Sequence, residues 1–265
     1  MILFTGHGEL ATAFKSKYDA RIESFRKLKF DERKHQIKHA KILIHNAANL
    51  NGTQLIDSVK DNFILTKQII DLCTKTNPNI FFIYLSSMSF LNLNGEYKDI
   101  KDMSNYAYSK FLGESYLLKS SLSQKSSIRF STIFYKNPKR DGLSKLIHDS
   151  YKTKVIKLIN NGISRRDFIP IEICAGYLKK IIEEKYSKGI INICSGISTS
   201  FQEIAAILIQ NIKHSRICNC NLESNSIVCS KFNPDDINKI GRIDFSLNNE
   251  LIKYLESIKN EDSHF

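Results

Sequence analysis

Tyr106 and Lys110 stand four residues apart in the stretch SNYAYSKFLGESYLL. If 104–118 is helical, that spacing puts the phenol and the ammonium on one face, one turn apart. A free tyrosine has a pKa of about 10 and exchanges protons poorly at neutral pH. A neighbouring ammonium favours the phenolate and lowers that value. Just upstream, FFIYLSSMSF reads as a buried strand ending in hydroxyl residues, and Ser87 can hydrogen-bond the oxygen that Tyr106 would protonate. Together the three side chains suit a carbonyl or a hydroxyl that gains or loses a proton. Tyr-x-x-x-Lys also arises by chance in helices, where the ring packs and the lysine is solvated, so the surroundings must decide.

A second constellation lies at the start of the chain. MILFT reads as a strand, and TGHGELA follows with Gly6, Gly8 and Ala11 in G-x-G-x-x-A spacing, directly before a helix. Glycines there permit a tight turn and let backbone N–H groups approach a dinucleotide pyrophosphate. The nucleoside end depends on the stretch after the second strand, ARIESFRKLKF. Glu23 would bind an adenosine 2′-hydroxyl and favour NAD, whereas Arg26 and Lys27 would hold a 2′-phosphate; with the strand ending near Ser24, NADP is preferred and NAD stays open.

The elements that must position these groups alternate short β-branched runs with amphipathic helices, the pattern of parallel βαβ units. A second strand is expected over 21–24, a third over 28–30, and a helix opening at Asp31 with Ile37 on its inner face. KILIHNAA reads as a fully buried strand running into a small-residue loop. A long helix is expected over 52–73, a strand over 80–85, the Tyr106 helix, and a single strand SIRFSTIF. Past Pro138 come a helix over 142–153, the strand VIKLI, a helix over 173–184, the strand IINIC, a capped helix in TSFQEIAAILIQNI and a last amphipathic helix in SLNNELIKYLESI. The fold class is therefore α/β, a doubly wound parallel Rossmann-type sheet with a small interleaved carboxy-terminal domain. Residues 1–135, with a return at about 168–192, form the dinucleotide-binding part, and 136–167 with 193–265 the substrate-binding part.

The 265 residues carry 39 Lys+Arg against 27 Asp+Glu, but the excess is scattered in pieces such as KSK, RKLK, NPKR and SRR. Scattered lysine is mostly solvated surface, and no basic stripe interleaved with aromatics points to nucleic acid. No apolar run approaches the ~20 residues of a membrane span, and a strand at the second residue leaves no room for a signal peptide. A cytoplasmic protein is expected. The six cysteines sit mostly as singles in apolar surroundings; Cys218, Cys220 and Cys229 have no fourth partner and no paired knuckles, so no metal is expected there and short strands are their expected home.

Taken together these segments resemble the extended short-chain dehydrogenase/reductase family, the NAD-dependent epimerase/dehydratase group acting on nucleotide sugars, over nearly the whole length. IHNAA matches the family's loop beside the cofactor, with Ala47 and Ala48. Asn62 matches an asparagine of the next helix, LSSMS the catalytic serine strand, and NGISRRDFIPIE the G-x-x-x-R-D-F segment. The resemblance implies Tyr106 as general acid/base, Lys110 as the residue that orients the cofactor ribose and lowers the tyrosine pKa, and Ser87 as the group that polarises the reacting oxygen. Gly6, Gly8, Ala11, Arg26, Asp31, Ala47, Ala48 and Asn62 would join Tyr106 and Lys110 around the cofactor. Ser87, Met88, Ser89, Thr132 and Arg166 would face the sugar nucleotide, Arg166 reaching its diphosphate. A homodimer through the Tyr106 helix and the helix before it is implied, as is a place in polysaccharide biosynthesis.

Three departures from the family pattern stand out. The glycine turn is one residue shorter than the usual G-x-x-G-x-x-G and carries Glu9 near the phosphates. The expected Y-G-P segment is replaced by 134–138, FYKNP, and Thr132 stands where asparagine is common. Dehydratases of this family carry acids in the one or two positions after the serine or threonine; here those are Met88 and Ser89, which disfavours dehydration. The remaining reactions are reduction of a nucleotide-linked 4-keto-6-deoxyhexose with NADPH, which is preferred, and C4 epimerisation with tightly bound NAD. A non-catalytic dinucleotide-binding protein is the third reading, opposed by the intact Ser87, Tyr106 and Lys110.

Overall fold

The computed structural model describes residues 1–49, 54–92, 94–187, 189–220 and 230–262. Its elements run β1 (Ile2–Phe4), α1 (Glu9–Lys15), β2 (Arg21–Ile22), α2 (Phe30–His39), β3 (Ile42–His45), α3 (Leu55–Ser58), a π-helical turn (Val59–Ile64), α4 (Leu65–Thr76), β4 (Phe81–Ser87), α5 (Asn105–Lys119), β5 (Lys125–Phe130) and β6 (Thr132–Phe134). They continue with α6 (Gly142–Thr153), β7 (Val155–Ile159), β8 (Arg165–Pro170), α7 (Ile171–Glu183), β9 (Gly189–Ile193), β10 (Ser198–Ser200), α8 (Phe201–Asn211), β11 (Arg216–Cys220), α9 (Asp235–Ile240) and α10 (Leu247–Asp262).

Six strands form one parallel sheet in the order β2-β1-β3-β4-β5-β9. The chain leaves β1 for β2 on one side and later takes up β3 on the other. The crevice of such a sheet opens at that switch, outside the carboxyl ends of the strands. Central strands buried on both faces must be apolar throughout, and β4 is, with Phe81, Phe82, Ile83 and Tyr84 all at 3% exposure or less. One face packs on α1 and α7 through Phe14, Ala11, Ala175 and Leu178. The other packs on α2, α4 and α5 through Ile37, Ile69 and Leu117.

A three-stranded sheet, β10-β8-β6, and a parallel pair, β11-β7, extend from the carboxyl end of the large sheet. Phe134, Ile147, Ile156, Ile204, Leu208 and Leu255 gather α6, α8 and α10 into a separate core there. After β10 the chain returns to the large sheet once more, at α9, whose Ile237 and Ile240 join the α1–α7 core.

Several local expectations change. No strand forms over 28–30: Ser24 accepts from Lys27 N at 2.8 Å, folding the chain into a turn, and Phe30 already begins α2 with Lys29 N donating to Glu32 at 2.6 Å. Strand two ends at Ile22 rather than near Ser24. The long helix expected from Gly52, which itself lies outside the described residues, begins at Leu55 and is widened by the π-helical turn around Asn62. SIRFSTIF divides at Ser131: β5 stays in the large sheet, while β6 crosses to pair with β8 at Thr132–Phe168. Cys218 and Cys220 lie in β11, paired with β7, and Cys229 is outside the described residues. No described helix is long and apolar enough to cross a membrane.

Candidate active site

The carboxyl ends of β1, β3, β4 and β5 converge on one cleft. Gly8, Glu9, Asn46, Ala48, Ser86, Ser87, Tyr106, Lys110, Tyr135 and Arg140 line its inner part. Its outer part is lined by Gly6, Gly8, Glu23, Ser24, Arg26, Lys27, Ala47, Ala48 and Arg140. Beyond Ser87 a second cavity of about 650 Å³ opens, lined by Ser87, Met88, Ser89, Lys98, Asp102, Thr132, Arg166 and Phe232 among others. Ser87 lines both spaces and so stands where they meet.

The first strand fixes the bend. Gly6 approaches Ala47 so closely that a Cβ there would fall 3.2 Å from the Ala47 Cα and Cβ. Asn46 Nδ2 donates to Gly6 O at 2.8 Å, tying the loop after β3 to the turn. Ala11, fully buried in α1, lies in the core between helix and sheet, outside the cleft lining.

Behind the cleft a buried polar chain joins β1 to α5. Thr5 Oγ1 lies 2.6 Å from His45 Nδ1, and His45 Nε2 lies 2.8 Å from Thr66 Oγ1. Because the Thr66 hydroxyl donates to Asn62 O, it must accept from His45 Nε2–H; Nδ1 then accepts from Thr5. Burial, with Lys110 and Arg26 nearby, drives the His45 pKa down to about 3, so the ring is neutral. Asn62 donates to Ser109 Oγ at 2.9 Å and accepts from Asn49 N at 2.5 Å; Ser109 in turn donates to Tyr106 O at 2.8 Å. Asn62 thus braces the loop after β3 against α5, the helix that carries Tyr106 and Lys110, and its side chain is not in the cleft lining.

Helix α5 opens on Ser104, whose hydroxyl accepts from Ala107 N at 3.2 Å. Tyr106 and Lys110 follow on one face. The pKa shift of Tyr106 runs opposite to the sequence expectation: burial pushes the phenol up to about 12, opposed by a hydrogen bond with Ser87. The cause is shared desolvation. Lys110, only 2% exposed, is driven down to about 7 by burial, with Glu114 pulling it back up, and its Nζ lies 4.0 Å over the Tyr84 ring. At neutral pH Tyr106 is therefore a protonated phenol beside Ser87, set up to donate rather than to accept.

Ser87 is held by its own strand end, accepting from Ser89 N at 3.1 Å and donating to Ser89 Oγ at 3.0 Å. Arg166 lines the second cavity from β8, while its neighbour Asp167 turns inward to accept from Ser195 N and Gly196 N, both at 2.8 Å. At the outer end, the Glu23 carboxylate is taken by Arg21 at 2.7 Å, and Arg26 donates to Asp61 O at 3.3 Å. Asp31 is placed away from all this, exposed in the first turn of α2 and absent from the cleft lining. Sequence reasoning missed Asn46, Tyr135 and Arg140; only the N-P pair of NPKR, a turn signal, pointed toward Arg140.

These residues fit a nicotinamide dinucleotide. Gly8 faces Asn46 so closely that a Cβ would lie 3.2 Å from Nδ2, leaving backbone exposed to a ligand. Asn46 Oδ1 and Ser86 Oγ are buried in the cleft with no hydrogen-bond partner among the described residues. Such orphaned groups call for a polar ligand. Among the described residues no group of three or more His, Cys, Asp or Glu could hold a metal ion.

No curated protein matches the sequence. Solved structures do match in fold. A novel NAD dependent NDP-hexosamine 5,6-dehydratase, TunA, involved in tunicamycin biosynthesis, is 16% identical, with 98% of this chain and 97% of that one covered at a TM-score of 0.80. UDP-glucose 4-epimerase from Thermotoga maritima, solved with UDP-glucose, is 12% identical over 98% and 99% of the two chains at 0.78. A dTDP-4-dehydrorhamnose reductase from Clostridium acetobutylicum is 15% identical over 97% and 99% at 0.76. The family model for the NAD dependent epimerase/dehydratase family matches residues 7–194, from the glycine turn to the end of β9. The chain is an enzyme of the NAD dependent epimerase/dehydratase family.

Proposed function

We propose that this enzyme reduces a nucleotide-linked 4-keto-6-deoxyhexose, with hydride from NADPH and a proton from Tyr106. The observation that carries the reading is the position of Ser87 and Tyr106. Ser87 lines both the dinucleotide cleft and the second cavity, and Tyr106 stands beside it as a phenol held protonated at neutral pH. A substrate carbonyl resting on Ser87 would face the cofactor on one side and its proton donor on the other.

When bound, the reduced nicotinamide supplies the hydride. The chain supplies the rest. Ser87 polarises the carbonyl oxygen, Tyr106 Oη gives it a proton, and Lys110 holds the cofactor ribose. Lys110 lines the same cleft as Tyr106, and its ammonium form would stabilise the charge that develops as the phenol loses its proton. Gly6, Gly8, Ala47 and Ala48 supply close backbone approach for the dinucleotide, and Met88, Ser89, Thr132 and Arg166 enclose the sugar nucleotide, Arg166 toward its phosphates.

NADPH is favoured over NADH because Glu23 is already paired with Arg21, whereas Arg26 and Lys27 line the adenosine end. Reduction is favoured over dehydration because Met88 and Ser89 follow Ser87, and neither can take the acid or base role. Residues 136–167 and 193–265, apart from α9, which packs with the large sheet, serve as the substrate-binding part. A homodimer through α5 and the preceding helices is supported by Leu55 and Ile56, exposed at 47% and 66%. We place the enzyme in the cytoplasm, in sugar-nucleotide supply for polysaccharide assembly.

Incubation of the purified protein with NADPH and nucleotide-linked 4-keto-6-deoxyhexoses tests the reading. Loss of the reduced-nicotinamide absorbance in step with keto sugar is expected. Absence of consumption, with NAD retained through purification and interconversion of C4 epimers, would replace it with the epimerase.

A further inference from the structure

Four residues line both the inner and the outer part of the dinucleotide cleft: Gly8, Asn46, Ala48 and Arg140. A ligand made of two nucleosides joined by a pyrophosphate must place that pyrophosphate where the two parts join. Arg140 is the only charged side chain of the four.

Its position is built by the sequence after β6. Asn137-Pro138-Lys139-Arg140 closes a turn in which Arg140 N donates to Asn137 O at 2.9 Å, and Lys139 N donates to Asn137 Oδ1 at 3.0 Å. Asparagine first and proline second are the residues such a turn favours. Asp141 then caps α6, accepting from Ser144 N at 2.7 Å, and Asn137 N donates to Ser144 Oγ at 3.0 Å. The loop is thereby pinned at both ends.

From this turn Arg140 reaches back to the glycine bend. Its Nε donates to Glu9 Oε1 at 3.3 Å, and Asn137 Nδ2 donates to the same oxygen at 3.1 Å. Arg140 makes no other side-chain hydrogen bond among the described residues, so the two terminal nitrogens of the guanidinium keep their donors. The group is 44% exposed. A guanidinium gripped through Nε and open at both Nη atoms is a fork of the geometry that bridges two phosphate oxygens.

We propose that Arg140 binds the dinucleotide pyrophosphate, and that Glu9 orients it for that task. The inference rests on the dinucleotide reading above and assigns the site a ligand from outside the glycine turn. It also accounts for the acid in the shortened turn. Left alone, the Glu9 carboxylate would repel a pyrophosphate; bound to Arg140 Nε, it is neutralised and fixes the fork over the bend. The turn lacks one residue of backbone, and a side chain from the β6–α6 loop makes good the missing donor.

The test measures equilibrium binding of NADPH, NAD, ADP-ribose and adenosine to the wild type, Arg140→Ala, Arg140→Lys and Glu9→Gln, with folding of each checked by thermal melting. Arg140→Ala should weaken ADP-ribose and both dinucleotides alike by about tenfold to a hundredfold, leave adenosine within about twofold, and flatten the salt dependence. Arg140→Lys should recover part of the loss, because charge returns without the fork. Glu9→Gln keeps an amide oxygen for Nε and removes the negative charge, so it should bind as well as the wild type or better. If the pair is merely a structural bridge, Arg140→Ala and Glu9→Gln lose affinity equally; that result, or ADP-ribose affinity unchanged in Arg140→Ala, overturns the inference while leaving the dinucleotide reading intact. A wild type that binds none of the four ligands overturns both.

Discussion

The Lys110 ammonium lies 4.0 Å above the ring of Tyr84, in a layer where the lysine is 2% exposed and the tyrosine fully buried. The ring face partly replaces lost water around the charge, and burial still drives the amine down to about 7. Between that value and the ordinary lysine value of 10.5, the unfolded chain holds a proton that the native chain has lost, so stability rises with pH across this window; below about 7 both states are charged and the burial penalty is fully felt. Lys110→Met should therefore be more stable than the wild type at pH 6, by up to about 5 kcal/mol, with the gap closing by pH 10. Urea unfolding at the two pH values measures it. A gap that does not depend on pH would show that the amine does not titrate in this window.

His45 gives the mirror case at acid pH. Its pKa is held near 3 by burial between Thr5 and Thr66, so between pH 6.5 and 3 the unfolded chain takes up a proton that the native chain refuses, and stability falls as the pH drops through that range. His45→Gln should flatten this acid limb, while costing about 1–3 kcal/mol at pH 7 through the threonines it leaves imperfectly paired. Denaturant midpoints of the two proteins from pH 7 to pH 4 decide it.

Gly113 sits where α5 crosses Tyr84. A Cβ there would lie 2.5 Å from the Tyr84 hydroxyl and 2.9 Å from Cζ. In an open helix, alanine would stabilise by about 1 kcal/mol relative to glycine. Here Gly113→Ala should instead destabilise by about 1–3 kcal/mol and displace the helix that carries Tyr106 and Lys110, lowering turnover as well as the melting temperature. Stabilisation by this substitution would contradict the packing.

Arg129 and Glu114 form a buried ion pair, with Arg129 Nε at 3.0–3.1 Å from both carboxylate oxygens, Ser127 donating at 2.7 Å and Tyr97 accepting at 2.6 Å. Breaking a buried pair leaves one charge without compensation. Arg129→Met should cost about 3–5 kcal/mol, and adding Glu114→Gln should recover part of it. Additive losses in a double-mutant cycle would refute the coupling.

Much of this architecture was legible because burial leaves period and composition as signals. The glycine bend, the apolar β4, the helix that carries Tyr106 and Lys110 and the Ser/Thr–Glu203 opening of α8 each follow from local rules, and the structure has them. What the sequence hid depends on tertiary partners. The break at Ser131 is decided by β8, which lies more than thirty residues onward and takes β6 out of the large sheet. The expected third strand fails because Phe25, fully buried, draws its segment into a turn. The Tyr106 pKa was read with the wrong sign because spacing shows that an ammonium is near but not that both groups are desolvated. Arg140 was invisible because its partner, Glu9, is 131 residues away.

The most direct test of the central claim compares Tyr106→Phe with the wild type in two measurements on the same preparation: NADPH affinity, and single-turnover hydride transfer to a nucleotide-linked 4-keto-6-deoxyhexose. The account predicts affinity within about twofold and a transfer rate lower by a factor of about 10²–10⁴, the usual contribution of one positioned acid. A Tyr106→Phe enzyme that transfers hydride at the wild-type rate would contradict it.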